Sequence, residues 1–437
     1  MSQWWCAGLA GLLMVGAEAD ALTAQEVLEG APTRIREHRM GDLTVQVLRP
    51  DGQPAAGAKV RIEQERHAFL FGCNVFRLNR APDAEVNRRY AERFAELLNF
   101  ATLPFYWAGF ERAAGRPNHD GLDAMAAWCA DHQIVTKGHP LVWNHPASVP
   151  GWLPADLGEV RRLSDARVTD LVTRYRGRID CWDVVNEAAD PFRFANKLSE
   201  MYRRDGLMTV VRESFRLARA ANPQATLLIN DYQLESRFVR VIEELVDDRG
   251  RRLYDAIGIQ THQHGGAMPV DRLWAACDRY ARFGVPLHFT EATILSGGKL
   301  ATGGIDFESR EAQFEETNPA GEARQAEAVV RFYTTLFSHP AVEAITWWDF
   351  SDDGAWLRAP AGLIRRDGTP KPAYDELLRR IKGEWWTKAT VTTDAAGRAT
   401  LRVFAGEHRV TSEDGRATAR VAVGRGGQAA ATVRLAG

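Results

Sequence analysis

The sequence contains little cysteine: five of its 437 residues, which lie far apart at positions 6, 73, 129, 181 and 277. No two of them form a CxxC pair, so neither a structural zinc site nor a dense disulfide framework is predicted. The last four are expected to be buried free thiols, which pack as small hydrophobic side chains.

The chain also lacks an excess of charge of one sign. Its 55 Lys and Arg nearly balance its 57 Asp and Glu, which gives a net charge of −2. Proteins that bind nucleic acid or an anionic membrane usually present a basic surface, so neither partner is predicted. With 45% hydrophobic and 26% charged residues the composition is globular, and the length suggests one large domain plus a smaller one.

An apolar run opens the chain. Residues 1–21, MSQWWCAGLAGLLMVGAEADA, are apolar from Trp4 to Ala17 and end in small residues. The pattern predicts a secretory signal peptide, although no Lys or Arg precedes the run, and it is too short for a mature membrane anchor. The protein is therefore expected to be secreted or periplasmic.

No glycine-rich phosphate loop follows any predicted strand, whereas apolar strand-like runs and amphipathic helical segments alternate eight times. The runs are 68–76, 100–107, 135–143, 179–185, 226–232, 255–262, 285–291 and 342–350. Eight strand-then-helix units predict the α/β class and a (β/α)8 TIM barrel over residues 67–384. A doubly wound open sheet is the alternative, but it usually has fewer units and a phosphate loop.

Two smaller segments flank the predicted barrel. Residues 22–66 are expected to form a helix or linker and an N-terminal β-ribbon, with a turn at Asp51-Gly52. Residues 385–437 read as a small C-terminal all-β module of short alternating strands. A module of this size needs support from a neighbour, so we expect it to pack with the 42–66 strands beside the barrel.

In such a barrel, ligand chemistry takes place at the C-terminal ends of the strands. The polar and aromatic residues at the predicted ends are His139, Trp143, Asn186, Glu187, Asn230, Asp231, Gln260, His262, Glu291, Trp348, Asp349 and Asp352. Glu187 and Glu291 end the fourth and seventh strands and are expected to face each other across the barrel mouth. Paired carboxylates among Trp and amide side chains indicate glycoside hydrolysis, with one group as acid and the other as nucleophile.

Several motifs are similar to those of one family. WDVVNE (182–187), FTE (289–291), GHPLVW (138–143), LLINDY (227–232), GIQTH (258–262), TWWDFSDDGAW (346–356) and KPAY (371–374) resemble segments of glycoside hydrolase family 10, the (β/α)8 endo-1,4-β-xylanases. The resemblance covers about residues 67–383. It implies a retaining endo-1,4-β-xylanase that works by double displacement on a polysaccharide or oligosaccharide. The protein is expected to act as a monomer and without metal or other cofactor.

The resemblance also implies a role for individual residues. Glu187 would be the acid/base and Glu291 the nucleophile, with His262 holding the carboxylate of Glu291. Asn186 would hydrogen-bond the 2-hydroxyl of the sugar at the cleavage point. The remaining expected substrate-binding residues wall, support or cover that sugar: His139, Trp143, Gln260, Trp348 and Trp356. Retention predicts carboxyl groups roughly 5–5.5 Å apart.

The sequence departs from the family pattern after the second barrel strand. The usual Glu-Asn pair followed by Lys-Trp is replaced by TLPFYW (102–107), in which Trp107 is retained and Tyr106 stands near the Lys position. In the family, that Lys and Asn bind sugar on the non-reducing side. Ala292-Thr293 also replace a Leu-Asp after the nucleophile, and Asn144 stands where His is more common.

Other interpretations remain open from the residues alone. His262 with His264, or His139 with His145, would suit a metal, but no third ligand has suitable spacing. Glu187 and Glu291 could be structural ion-pair partners, and Trp348 and Trp356 could be core residues. Asn230 and Asp231 are interpreted as groups that satisfy neighbouring backbone. Asp352 and Asp353 could cap the turn that follows them.

Two other functions are compatible with the sequence. The same barrel could hydrolyse another β-glycan, such as mixed-linkage glucan, cellulose or decorated xylan, because the second-strand residues differ. Alternatively, the protein could bind carbohydrate without cleaving it, although binding alone does not require two opposed carboxylates.

Overall fold

The computed structural model describes residues 22–300, 305–307, 311 and 313–436, so the predicted signal peptide lies outside the described residues. The first elements are helix α1 (Ala24–Arg39) and strands β1 (Met40–Leu48) and β2 (Lys59–His67). Eight strands follow: β3 (Leu70–Asn74), β4 (Phe100–Pro104), β5 (Val135–His139), β6 (Cys181–Asn186), β7 (Thr226–Asp231), β8 (Ala256–Gln263), β9 (Leu287–Ile294) and β10 (Val342–Trp347).

Helices separate these eight strands or follow the last of them. They are α2 (Ala84–Leu97), α3 (Trp107–Phe110), α4 (Asp120–Asp131), α5 (Leu157–Tyr175), α6 (Lys197–Asp205), α7 (Leu207–Ala221), α8 (Ser236–Glu244), α9 (Val270–Ala281), α10 (Pro319–Ser338) and α11 (Pro372–Arg379). The last strands are β11 (Lys388–Thr392), β12 (Arg398–Phe404), β13 (Gly406–Ser412), β14 (Thr418–Val423) and β15 (Gln428–Arg434).

Strands β3 to β10 close into a barrel in the order β10-β3-β4-β5-β6-β7-β8-β9, and neighbouring strands are parallel. All six residues of β6 are buried, as expected for a strand covered by side chains inside the barrel and by helices outside. The (β/α)8 prediction is confirmed, and the open doubly wound sheet is excluded. Cys73, Cys129, Cys181 and Cys277 are buried free thiols, as predicted.

The remaining strands form two sheets that face each other across an apolar core, which we call the β-sandwich. One sheet has the order β12-β1-β15 and the other β11-β2-β13-β14, and the core includes Leu43 and Val45 from β1 and Val60 and Ile62 from β2. The C-terminal strands therefore pack with the 42–66 strands, as expected.

The predicted N-terminal β-ribbon is wrong in its pairing, because β1 and β2 belong to different sheets. The turn at Asp51-Gly52 closes a short loop within the connection, where the Arg49 N–H donates to Gln53 O and the Gly52 N–H to Arg49 O. The turn lies between β1 and β2 but does not pair these strands as a hairpin. Both strands bury alternate residues, and separate sheets let both apolar faces share one core.

The β-sandwich is attached at the N-terminal end of the barrel strands. Arg39, at the end of α1, is 1% exposed, and it donates hydrogen bonds to the carbonyl oxygens of Phe337 and His339, just before β10. Arg425 of the sandwich pairs with Glu343 near the start of β10. The sandwich therefore lies at the end of the barrel opposite to the predicted site.

Candidate active site

A cavity of about 510 Å³ opens at the C-terminal ends of the barrel strands. Eight of the nine predicted site residues line it: His139, Trp143, Glu187, Gln260, His262, Glu291, Trp348 and Trp356. The ninth, Asn186, is buried and hydrogen-bonded to Gln260 and Asn230. None of the described helices is long and apolar enough to cross a membrane.

Glu187 stands immediately after β6, with its backbone in the left-handed region at φ +59°. Its N–H donates to the carbonyl oxygen of Asn230 at 2.8 Å, which ties this turn to β7. The carboxylate accepts hydrogen bonds from Trp143 Nε1 at 2.9 Å and Gln260 Nε2 at 3.2 Å. The side chain is therefore held in one place at the cavity wall.

The surroundings of Glu187 favour its protonated form. Burial, and secondly the negative charges of Glu291 and Asp231, raise its pKa to about 8, and the Trp143 and Gln260 donors only partly oppose this. A carboxylic acid that keeps its proton at neutral pH can protonate a leaving group. Glu187 thus has the electrostatic setting of a general acid.

Glu291 lies within β9 and has the opposite setting. Burial acts to raise its pKa, but nearby His139 and the hydrogen-bonded His262 outweigh burial, and the pKa is lowered. Its carboxylate accepts hydrogen bonds from Asn230 Nδ2 at 2.8 Å and His262 Nε2 at 3.1 Å. An ionised carboxylate held in this way is suited to act as a nucleophile.

A buried charged pair supports this arrangement from below the cavity. Asp183 and Lys137 are fully buried and lie 2.6 Å apart (Oδ2 to Nζ). Asp183 Oδ2 also lies 2.7 Å from His139 Nδ1, while His139 Nε2 lies 3.9 Å from Glu291. Asp183 fixes the imidazole ring and so directs its second nitrogen towards Glu291.

The sequence interpretation of Asn230 is wrong, because its side chain bridges site residues. Its amide donates to both Asn186 Oδ1 and Glu291 Oε1 at 2.8 Å, and Thr290 Oγ1 donates to its Oδ1 at 2.6 Å. Asp231 does satisfy neighbouring backbone, since it accepts the N–H groups of Ala189 and Gln233. Asn230 therefore belongs to the group that holds Glu291.

The aromatic residues contribute in different ways. Trp348 is 6% exposed and Trp356 is 36% exposed, so Trp356 is not a core residue, and the accessible part of Trp348 faces the cavity. Trp143 stacks on His145 with ring centroids 4.2 Å apart and an angle of 15°. This stacking supports the ring whose N–H contacts Glu187.

The other acidic residues after β10 are used structurally. Asp352 pairs with buried Lys371 at 2.7 Å and accepts the Gly362 N–H. Asp353 pairs with Arg77. Asp349 Oδ1 accepts the Trp356 N–H at 3.1 Å, and burial raises the Asp349 pKa to about 7. These contacts fix the loop that carries Trp356.

The histidine pairs considered as metal ligands do not form such a site within the described part of the chain. There, no group of three or more His, Cys, Asp or Glu is placed to hold a metal ion. His264 is buried and packs against the rings of His262 and Trp356 at 5.7 and 5.1 Å.

The chain is similar to two curated proteins over most of its length. It is 26% identical over 389 residues to endo-1,4-beta-xylanase 1 of Arabidopsis thaliana, covering 85% of this chain and 36% of that protein. It is 24% identical over 395 residues to anti-sigma-I factor RsgI6 of Acetivibrio thermocellus, covering 89% and 47% respectively. The chain thus spans less than half of the length of either relative.

A solved structure and a family model agree with the fold. Xylanase 10B of Thermotoga petrophila, crystallised in complex with xylobiose, superposes with a TM-score of 0.58 at 22% identity, covering 72% of this chain and 95% of that one. The family model of glycosyl hydrolase family 10 matches residues 87–380. Since the match extends over more than half of the sequence, the chain belongs to glycosyl hydrolase family 10.

Proposed function

We propose that the protein hydrolyses the β-1,4 bonds of xylan by double displacement, with Glu187 as acid/base and Glu291 as nucleophile. The observation that carries the proposal is the opposite pKa shift of the two carboxyl groups: Glu187 is raised to about 8 and Glu291 is lowered. At neutral pH one is therefore protonated and the other ionised, as both the retaining and the inverting course of glycoside cleavage require, and membership of family 10 favours the retaining one.

The contacts of the site give each step a physical basis. Glu291 attacks the anomeric carbon while Glu187 protonates the departing oxygen, which leaves a covalent glycosyl-enzyme and an ionised Glu187. Glu187 then removes a proton from water, and the resulting hydroxide displaces Glu291 from the sugar. His262 and Asn230, which donate to Glu291, stabilise its charge before attack and after release.

Xylan is proposed as the substrate because of the family and because two similar proteins are named xylanases. Another β-glycan remains the alternative on the same scaffold, since Tyr106 stands near the position of the Lys in the family pattern. The same proposal includes export, which residues 1–21 predict, and a monomeric state.

The test compares glucuronoarabinoxylan, mixed-linkage glucan and cellulose, with release of reducing sugar as the measurement. We expect turnover of xylan, and loss of at least about 10³-fold in kcat for Glu291→Gln, because the amide cannot form the covalent intermediate. Turnover of glucan or cellulose alone would keep the mechanism and reject the substrate. Binding of all three without turnover would favour a carbohydrate-binding protein.

A further inference from the structure

A second cavity, of about 210 Å³, lies beside the catalytic cavity. Tyr106, which follows β4, lines both cavities. The segment after β3 also reaches both, because Phe76 and Arg77 line the catalytic cavity and Arg80 lines the second one. A sugar bound next to Tyr106 in the catalytic cavity would therefore lie one side chain away from the second cavity.

The second cavity combines buried apolar side chains with exposed positive charge. Phe110, Leu122 and Met125 line it and are buried, whereas Arg80 and Arg112 line it and are exposed. Among the residues that the structure describes around this cavity, none is an Asp or a Glu. Since a guanidinium group is always protonated in a protein, the cavity carries a net positive charge.

No carboxylate of the described part of the chain pairs with these two arginines. The guanidinium groups of Arg80 and Arg112 make neither an ion pair nor a hydrogen bond there. Glu111 is next to Arg112 in the chain, but its carboxylate accepts hydrogen bonds from Trp107 Nε1 at 2.8 Å and from the Gly115 N–H at 2.7 Å. An anion that enters the cavity would therefore meet two guanidinium groups without having to displace a carboxylate from either.

We propose that the second cavity binds the carboxylate of a uronic acid substituent on the glycan. The inference rests on the proposed function and adds an acidic decoration to its substrate class. The carboxyl group of a uronic acid is ionised at neutral pH, as those of Asp and Glu are, and guanidinium groups bind carboxylates through paired hydrogen bonds. Arg80 and Arg112 form this contact only when a sugar near Tyr106 carries the substituent. The protein therefore prefers xylan that bears glucuronic acid.

The test compares glucuronoxylan with the same polymer after chemical reduction of its carboxyl groups, so that only the charge of the substituents differs. At low salt we expect kcat/KM for release of reducing sugar to be at least about threefold higher on the acidic polymer. This ratio should approach one when NaCl is raised from about 0.01 to about 1 M, because the Debye length shortens from about 30 to about 3 Å. Equal values at low salt would overturn the proposal. Absence of turnover on both polymers and on unsubstituted xylan would instead reject the proposed function.

Variants locate the preference in the second cavity. Arg80→Gln and Arg112→Gln should each lower the ratio of the two kcat/KM values, and the double variant should bring it close to one. The ratio is the readout because loss of folded protein lowers both rates equally. Arg398→Gln is the matched control, since Arg398 is exposed on β12 of the β-sandwich, at the opposite end of the barrel, and its ratio should equal that of the wild type. A double variant that keeps the wild-type ratio would contradict the proposal.

Discussion

Substitution of Glu187 by Gln should make the protein more resistant to unfolding at high pH. In the folded wild type the Glu187 pKa is about 8, against an ordinary value of 4.5, chiefly because the carboxyl group is buried. Between these two values the unfolded chain has lost this proton and the folded protein keeps it. The wild type therefore loses stability as pH rises through this range, and above it must keep a buried charge.

The size of the effect follows from the pKa difference. One pKa unit corresponds to about 1.4 kcal/mol, so raising the pH from 5 to 9 should lower the free energy of unfolding of the wild type by about 4 kcal/mol relative to Glu187→Gln. The amide has no proton to lose in this range. How well the amide fits the Trp143 and Gln260 donors changes the free energy of unfolding of the variant by the same amount at both pH values. This contribution therefore cancels when the two pH values are compared.

The assay is urea unfolding, followed by tryptophan fluorescence, of both proteins at pH 5 and pH 9. Glu327→Gln serves as the control, since Glu327 is exposed on α10 and its charge stays in water in both states. The expectation would be refuted if the difference in the free energy of unfolding between wild type and Glu187→Gln changed by less than about 1 kcal/mol from pH 5 to pH 9. A pKa difference of one unit would already change it by about 1.4 kcal/mol.

Three further predictions concern individual contacts. Trp143→Phe removes a donor that lowers the Glu187 pKa, so the alkaline limb of the kcat/KM profile should move to higher pH; a shift to lower pH would contradict this. His262→Ala removes a group that lowers the Glu291 pKa; the acidic limb should move to higher pH and kcat should fall by about 10²-fold or more, whereas an unchanged limb would count against the contact. Arg39→Met leaves two backbone carbonyls without their donor and should destabilise the protein by about 1–3 kcal/mol. Its kcat at 25 °C should stay at the wild-type value, because the sandwich lies opposite the site, and a lower kcat in the folded variant would contradict that separation.

The barrel could be predicted from the sequence because each of its strands is a short apolar run. Strands buried on both faces need no alternation, and a helical segment after each run leaves few other arrangements. Glu187 and Glu291 could be located in the same way, since each comes after a short, mostly apolar run and the C-terminal ends of parallel strands lie on one side of the barrel. Their positions needed no knowledge of side-chain contacts.

The β-sandwich could not be predicted in the same way, because its pairings join distant parts of the chain. Leu43 pairs with Leu401 and Ile62 with Val410, and nothing local in β1 or β2 selects those partners. The Asp51-Gly52 turn favoured the nearer pairing, a hairpin. A turn motif determines the conformation of only a few residues. Which strands pair in a sheet depends instead on which apolar faces can be buried together.

Within the site, sequence reasoning missed the groups that act through other residues. Lys137 and Asp183 stand inside apolar strands, and a charge in such a strand was the available signal for a buried pair. Asn230 was interpreted as a backbone partner because a strand pattern does not reveal which neighbouring side chain an amide meets. These contacts depend on distances between strands, which the sequence does not contain.

The central claim is that Glu291 forms a covalent bond to the sugar while Glu187 supplies the proton. The most direct test is mass spectrometry of the protein after incubation with an activated 2-deoxy-2-fluoro-β-xyloside, in which the second step is slow. We expect one added sugar per chain, on the peptide that contains Glu291, and none in Glu291→Gln. A sugar attached to another residue, or steady turnover of the xyloside with no adduct, would contradict it.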